Sequence, residues 1–157
     1  MNIATLTINT LQEWTATWAR ACFGNRIARD PIERNQRFFE EATELVQSLG
    51  ATRQECHDMV DYVFSRNVGE PHQEVGGVMI CLAALCDVAG LDMNTCALTE
   101  AERISDPALM AKIREKQKGK PRFGPARHTP PILSAADGPD YFRENYMMFF
   151  KEEILPL

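Results

Sequence analysis

The chain has 157 residues, 22 acidic against 17 basic side chains, a formal net charge of −5 and five cysteines. That length fits one domain able to bury a continuous core, and the acidic balance argues against a broad electrostatic hold on nucleic-acid backbone or anionic lipid. The odd cysteine count, with no C-x-x-C pair, argues against a disulfide framework or a thiolate zinc site and fits reduced thiols in a cytosolic protein.

The opening MNIATLTINT carries no basic residue and no long apolar run, so it does not read as a secretory signal. The first predicted helix covers about residues 10–22 and holds Trp14 and Trp18 one turn apart, a spacing that suits a core or a platform for stacking a purine. A second helix is expected over about 32–49, opened by Asp30-Pro31 and closed by Gly50. Its apolar face is Phe38, Ala42, Leu45, Val46 and Leu49; Arg34, Arg37, Glu41 and Glu44 fall in one flanking stripe, with Glu40 further out. A third helix, about 52–66, opens on the capping-box pair Thr52 and Glu55 and places His57 and Asp61 on a flank.

The fourth helix, about 72–89, starts after Pro71, stops at Gly90 and is apolar nearly all round, so a central buried position is expected for it. It is too short and too charged, with Asp87 inside the apolar run, to read as a membrane span. Gly76-Gly77 near its start permits close approach of another backbone, at a propensity cost of roughly 1 kcal/mol per glycine. A fifth helix is expected over about 96–117, ending in the basic run Lys112, Arg114, Lys116, Lys118 and Lys120. No stretch alternates like a strand, so the expected class is an all-α bundle over residues 1–120. Residues 121–157 form a proline-rich extension, and the aromatic face of Phe142, Tyr146, Phe149 and Phe150 predicts a short helix near 139–153 docking on the bundle or on a neighbouring subunit.

The close-set acids of FFEEATELVQ have two readings. In one, Arg37 and Glu41 form an exposed i,i+4 pair and the remainder is solvated helix surface. In the other, Glu41 and Glu44, one turn apart, face Glu74 at the head of the apolar helix and together supply oxygen ligands to a hard cation. Helix-dipole compensation after Pro71 is the plainer account of Glu74.

Glu40-Glu41-Ala42-Thr43-Glu44 resembles the EExxE motif of the all-α nucleoside triphosphate pyrophosphatases, the MazG-like family. QEVGGVMICLAALCDVAGLDM resembles that family's second-motif helix, and the likeness runs over roughly residues 32–93. It implies Mg²⁺ or Mn²⁺ on Glu41, Glu44 and Glu74, with Glu40 orienting or deprotonating the attacking water. It also implies a (d)NTP substrate cleaved to monophosphate and pyrophosphate, and a cytoplasmic homodimer or homotetramer in a bacterium or a phage-infected host. Phage members act on purine deoxynucleotides, and the resemblance permits dGTP or dATP as substrate here. Gly77 stands where the family has aspartate, and the inserted third helix offers Asp61 as the substitute ligand. Arg34, Arg37 and Lys118 are the candidates for phosphate contact and Trp14 for the base. Two rivals remain: a non-catalytic helical oligomerisation or nucleotide-binding protein, which Gly77 favours, and a di-iron bundle, which the absence of any Glu-x-x-His disfavours.

Overall fold

The computed structural model describes residues 7–121, and among them every regular element is helical. The elements are α1 (Ile8–Ala28), α2 (Pro31–Ser48), α3 (Arg53–Phe64), α4 (Pro71–Ala89), α5 (Met93–Ser105) and α6 (Pro107–Lys118). The all-α expectation for this part of the chain holds. The aromatic helix expected near 139–153 lies outside the described residues.

Local chemistry sets most boundaries. Asp30 accepts from the backbone N–H groups of Ile32 (3.0 Å) and Glu33 (3.3 Å), and Pro31 occupies the first turn, where its missing donor costs nothing. Thr52 and Glu55 close a reciprocal capping box at the head of α3. Gly90, at φ 68° and ψ 29°, ends α4 in the left-handed conformation that glycine adopts without a Cβ clash.

Two boundaries differ from the sequence expectation. The helix expected over about 96–117 is two helices, because Pro107 excludes Asp106 from helical geometry (ψ 124°) and Asp106 instead caps α6 by accepting from the Leu109 N–H at 2.7 Å. The first helix runs on to Ala28 through a break at Gly24, whose φ of 75° and ψ of 162° belong to a region almost restricted to glycine. A break there strips helical donors from the carbonyls before it. Arg114 of α6 supplies replacements: its Nε donates to the Cys22 carbonyl at 2.7 Å and its Nη2 to that of Ala21 at 3.3 Å.

Helix packing is concentrated where α1 meets α2 and α6 and where α5 meets α6. Ala19, Cys22 and Ala101 are the buried small residues of this assembly, and the Trp18 indole N–H donates to the Ile104 carbonyl at 2.9 Å. The expectation of a central, buried α4 is corrected. Only Cys86 of that helix is buried, while Val75, Ile80 and Val88 stand largely in solvent. Hydrophobicity all round signals that a helix must be covered, without saying by which chain.

Candidate functional site

The acidic stripe of α2 is organised around Glu33, a residue absent from the sequence-based candidates. The residue is 6% exposed, and its carboxylate accepts from Gln117 Nε2 of α6 at 2.8 Å and lies 3.1 Å from Arg37 Nε and 3.6 Å from Arg34 Nη2. A buried carboxylate needs such compensation, since desolvating it without a cation is expensive. Nothing in the linear pattern singles out Glu33, because a first-turn glutamate four residues before an arginine is an ordinary surface pair. Its burial follows from α6 lying over the start of α2.

Arg37 therefore does not pair with Glu41 as its spacing predicted. It bridges Glu33 and Glu40, and its Nη2 donates to the Pro121 carbonyl at 3.2 Å. The other Glu40 oxygen accepts from Lys120 Nζ, so that Glu33, Arg37, Glu40 and Lys120 form one ionic chain from α2 to the segment just after α6. The Lys120 hydrogen bond holds the Glu40 carboxyl below its usual range, aided by the charges of Lys120, Arg37 and Lys116 against an opposing effect of burial. With both oxygens engaged and its basicity lowered, Glu40 is poorly suited to the water-deprotonating role expected of it, and suited to holding two cations in place.

Glu40 and Glu44 border a cleft of about 710 Å³ between α2 and α3, walled by Phe39, Val60 and Phe64 with Arg37 and Thr43 alongside. That volume lies within the roughly 300–1,000 Å³ usual for small-molecule sites, and apolar walls with a few polar groups are their usual lining. An adjoining hollow of about 450 Å³ shares Phe39, Thr43 and Val60 and reaches Arg53 and His57 of α3.

The remaining candidates are dispersed. Glu41 is exposed, and its charge contributes in small part to raising the pKa of Arg103 of α5, whose hydrogen bonds to Glu100 are the main cause. Asp61 is exposed on α3 and does not line the cleft that its neighbours Val60 and Phe64 wall. Glu74, also exposed, folds its carboxylate back over Gly69, so closely that a Cβ on that glycine would meet Oε1 at 2.0 Å. Among the described residues no three His, Cys, Asp or Glu side chains gather closely enough to hold a metal ion. One chain does not assemble the set Glu41, Glu44, Glu74 and Asp61, because α3 and α4 point their acids into solvent. Glu41 and Glu44 stand three residues apart on α2, both exposed, and of the two only Glu44 borders the cleft.

The expected substrate contacts are similarly redistributed. Arg34 lies 5.4 Å from the Phe23 ring centroid, and its buried Nε has no hydrogen-bond partner among the described residues. Trp14 stacks on Trp18 with centroids 6.4 Å apart, and Lys118 is exposed and paired with Glu115.

The ionic chain predicts a pH response. Because the folded-state pKa of Glu40 is depressed, its stabilising contribution is present above the usual carboxylate range and is lost as pH falls through the folded value. Lys120→Met is expected to raise the Glu40 titration midpoint in a carbon-detected NMR titration. Its urea midpoint should fall less between pH 7 and pH 3 than that of the parent chain. An unmoved Glu40 midpoint would exclude Lys120 as the main cause.

Comparison with known proteins yields no matching family model, no matching curated protein and no matching solved structure.

Proposed function

We propose that the α2–α3 cleft binds a nucleoside triphosphate and that the protein hydrolyses it to a nucleoside monophosphate and pyrophosphate. The observation that carries this reading is the joining, in one cleft of nucleotide size, of Phe39, Val60 and Phe64 as apolar walls with two glutamates of the EExxE segment and Arg37. The base lies against the apolar walls. The phosphates lie toward Glu44 and Arg37. A divalent cation, Mg²⁺ or Mn²⁺, on Glu41 and Glu44 would neutralise phosphate charge and favour ionisation of the attacking water. Glu40 holds Arg37 and Lys120 in position. Water adds to the α-phosphorus, the bond from that phosphorus to the α,β-bridging oxygen breaks, and pyrophosphate leaves.

A screen of the canonical NTPs and dNTPs with Mg²⁺ and with Mn²⁺ tests the reading. The expected products are a monophosphate and pyrophosphate, with ¹⁸O from labelled water in the monophosphate. Orthophosphate with a diphosphate would overturn it. The dispersed carboxylates and Gly77 favour a second reading, a nucleotide-binding helical protein without turnover, for which the screen shows no product and calorimetry shows binding.

A further inference from the structure

We propose that Glu40 is a built-in stand-in for a phosphate group: it occupies Arg37 and Lys120 in the protein alone and yields both cations to the phosphate chain of a bound substrate. The inference deepens the nucleotide reading and rests on it for the identity of that substrate. It is carried by the way the carboxylate is held. One Glu40 oxygen accepts from Arg37 Nη1 and the other from Lys120 Nζ, so a guanidinium and an ammonium grip it from two sides at the border of the cleft. A phosphate group accepts the same arrangement, with two oxygens taken by the two cations and another left over.

Both cations have anchors besides Glu40. Arg37 Nε lies 3.1 Å from the Glu33 carboxylate, and its Nη2 donates to the Pro121 carbonyl at 3.2 Å, so the guanidinium stays in place when the bond from Nη1 is released. Lys120 is placed by its backbone, whose N–H donates to the Gln117 carbonyl at 3.3 Å. The Glu40 side chain is 27% exposed and borders the cleft, so it can turn into water about its own bonds without disturbing α2. Lys120 does not itself line the cleft and meets it only through Glu40, which is why the exchange is needed to bring its ammonium onto a ligand.

The surrounding charge selects the ligand that replaces the carboxylate. Arg34, Arg37, Lys116 and Lys120 stand around two acids, Glu33 and Glu40, a local excess of positive charge in a chain whose net charge is −5. Turning Glu40 away enlarges that excess. A phosphate group brings about −1.5 to −2 charge and three acceptor oxygens to the same place, more than the carboxylate it displaces. A neutral or cationic ligand gains nothing from the exchange, so the corner favours an anion of the phosphate class. Glu44, the other acid on the cleft border, repels phosphate whether or not Glu40 is present, and its cost is common to every variant compared below.

Inorganic tripolyphosphate, which carries no base, tests this on the full chain in a buffer with EDTA to remove metal bridging, with binding followed through the ¹⁵N shifts of the Arg37 side chain. Glu40→Gln should bind it roughly five-fold more tightly than the parent, and Lys120→Met roughly ten-fold more weakly. Lys120→Arg should bind as the parent does. Lys112→Met, which removes the same charge from an exposed position of α6, should change the Kd by less than about two-fold. Should Glu40→Gln lose its helical circular dichroism, Glu40→Ala takes its place with the same expectation. Unchanged or weaker binding in the folded Glu40 variant would overturn the proposal, because Glu40 would then be a brace and not a competitor. Equal losses in Lys112→Met and Lys120→Met, or no binding to any of the proteins, would overturn it as well. Failure of the nucleotide reading looks different: tripolyphosphate binds in the expected order while no nucleoside triphosphate binds at all.

Discussion

Replacing Glu33 by alanine is expected to lower the melting temperature by about 10 °C, following a loss of stability on the order of 3 kcal/mol. The carboxylate is buried, and its removal leaves the Arg37 Nε and the Gln117 amide without the group they face. Arg37 is itself only 15% exposed, so its charge cannot be fully rehydrated in place. Breaking a buried pair from one side therefore costs more than the pair contributed over a well-packed apolar substitute. Glu33→Gln separates the two causes, since it keeps an acceptor for Gln117 while discarding the charge. Calorimetry should place it between the parent and Glu33→Ala. A melting temperature within 2 °C of the parent for both variants would show that the network is dispensable. Because Arg37 also reaches Glu40 and Pro121, Glu33→Ala should further loosen the end of α6, seen as faster amide exchange at Gly119 and Lys120.

Glu44→Gln is expected to reduce nucleoside triphosphate turnover on the order of 100-fold or more, the size of effect produced by removing one group that stabilises developing charge. Glu44 is exposed at the cleft, and no ion pair or hydrogen bond holds its side chain among the described residues. Its replacement should therefore leave the melting temperature within about 0.5 kcal/mol of the parent in stability terms. Glu41→Gln should behave alike. Glu33→Ala provides the contrast, since one acid of α2 is buried in the fold and two stand exposed on it. Full turnover by both Glu44→Gln and Glu41→Gln would remove this face from the reaction, and a large loss of stability would show that they serve the fold instead.

Helical class, the capping residues Asp30, Thr52 and Gly90, and the apolar character of α4 were all set by chemistry within a few residues of each position, which is why they were legible in the sequence. Pro107 was legible in the same way and marks the start of α6, although a continuous helix was expected there. The acid-rich stripe on α2 was also visible, since it depends only on 100° steps around one helix. What the stripe does was decided elsewhere in the chain. Glu33 became the buried acid because Gln117 of α6 packs over it, more than eighty residues away. Glu40 was drawn from the open acids into an ionic chain because Lys120 reaches it from the same direction. The Gly24 break survives because Arg114 satisfies the carbonyls it frees, another contact with no trace in local pattern. Hydrophobic periodicity reports that a surface must leave water and carries no information about its partner, so only the tertiary structure revealed that the other described helices leave most of α4 uncovered.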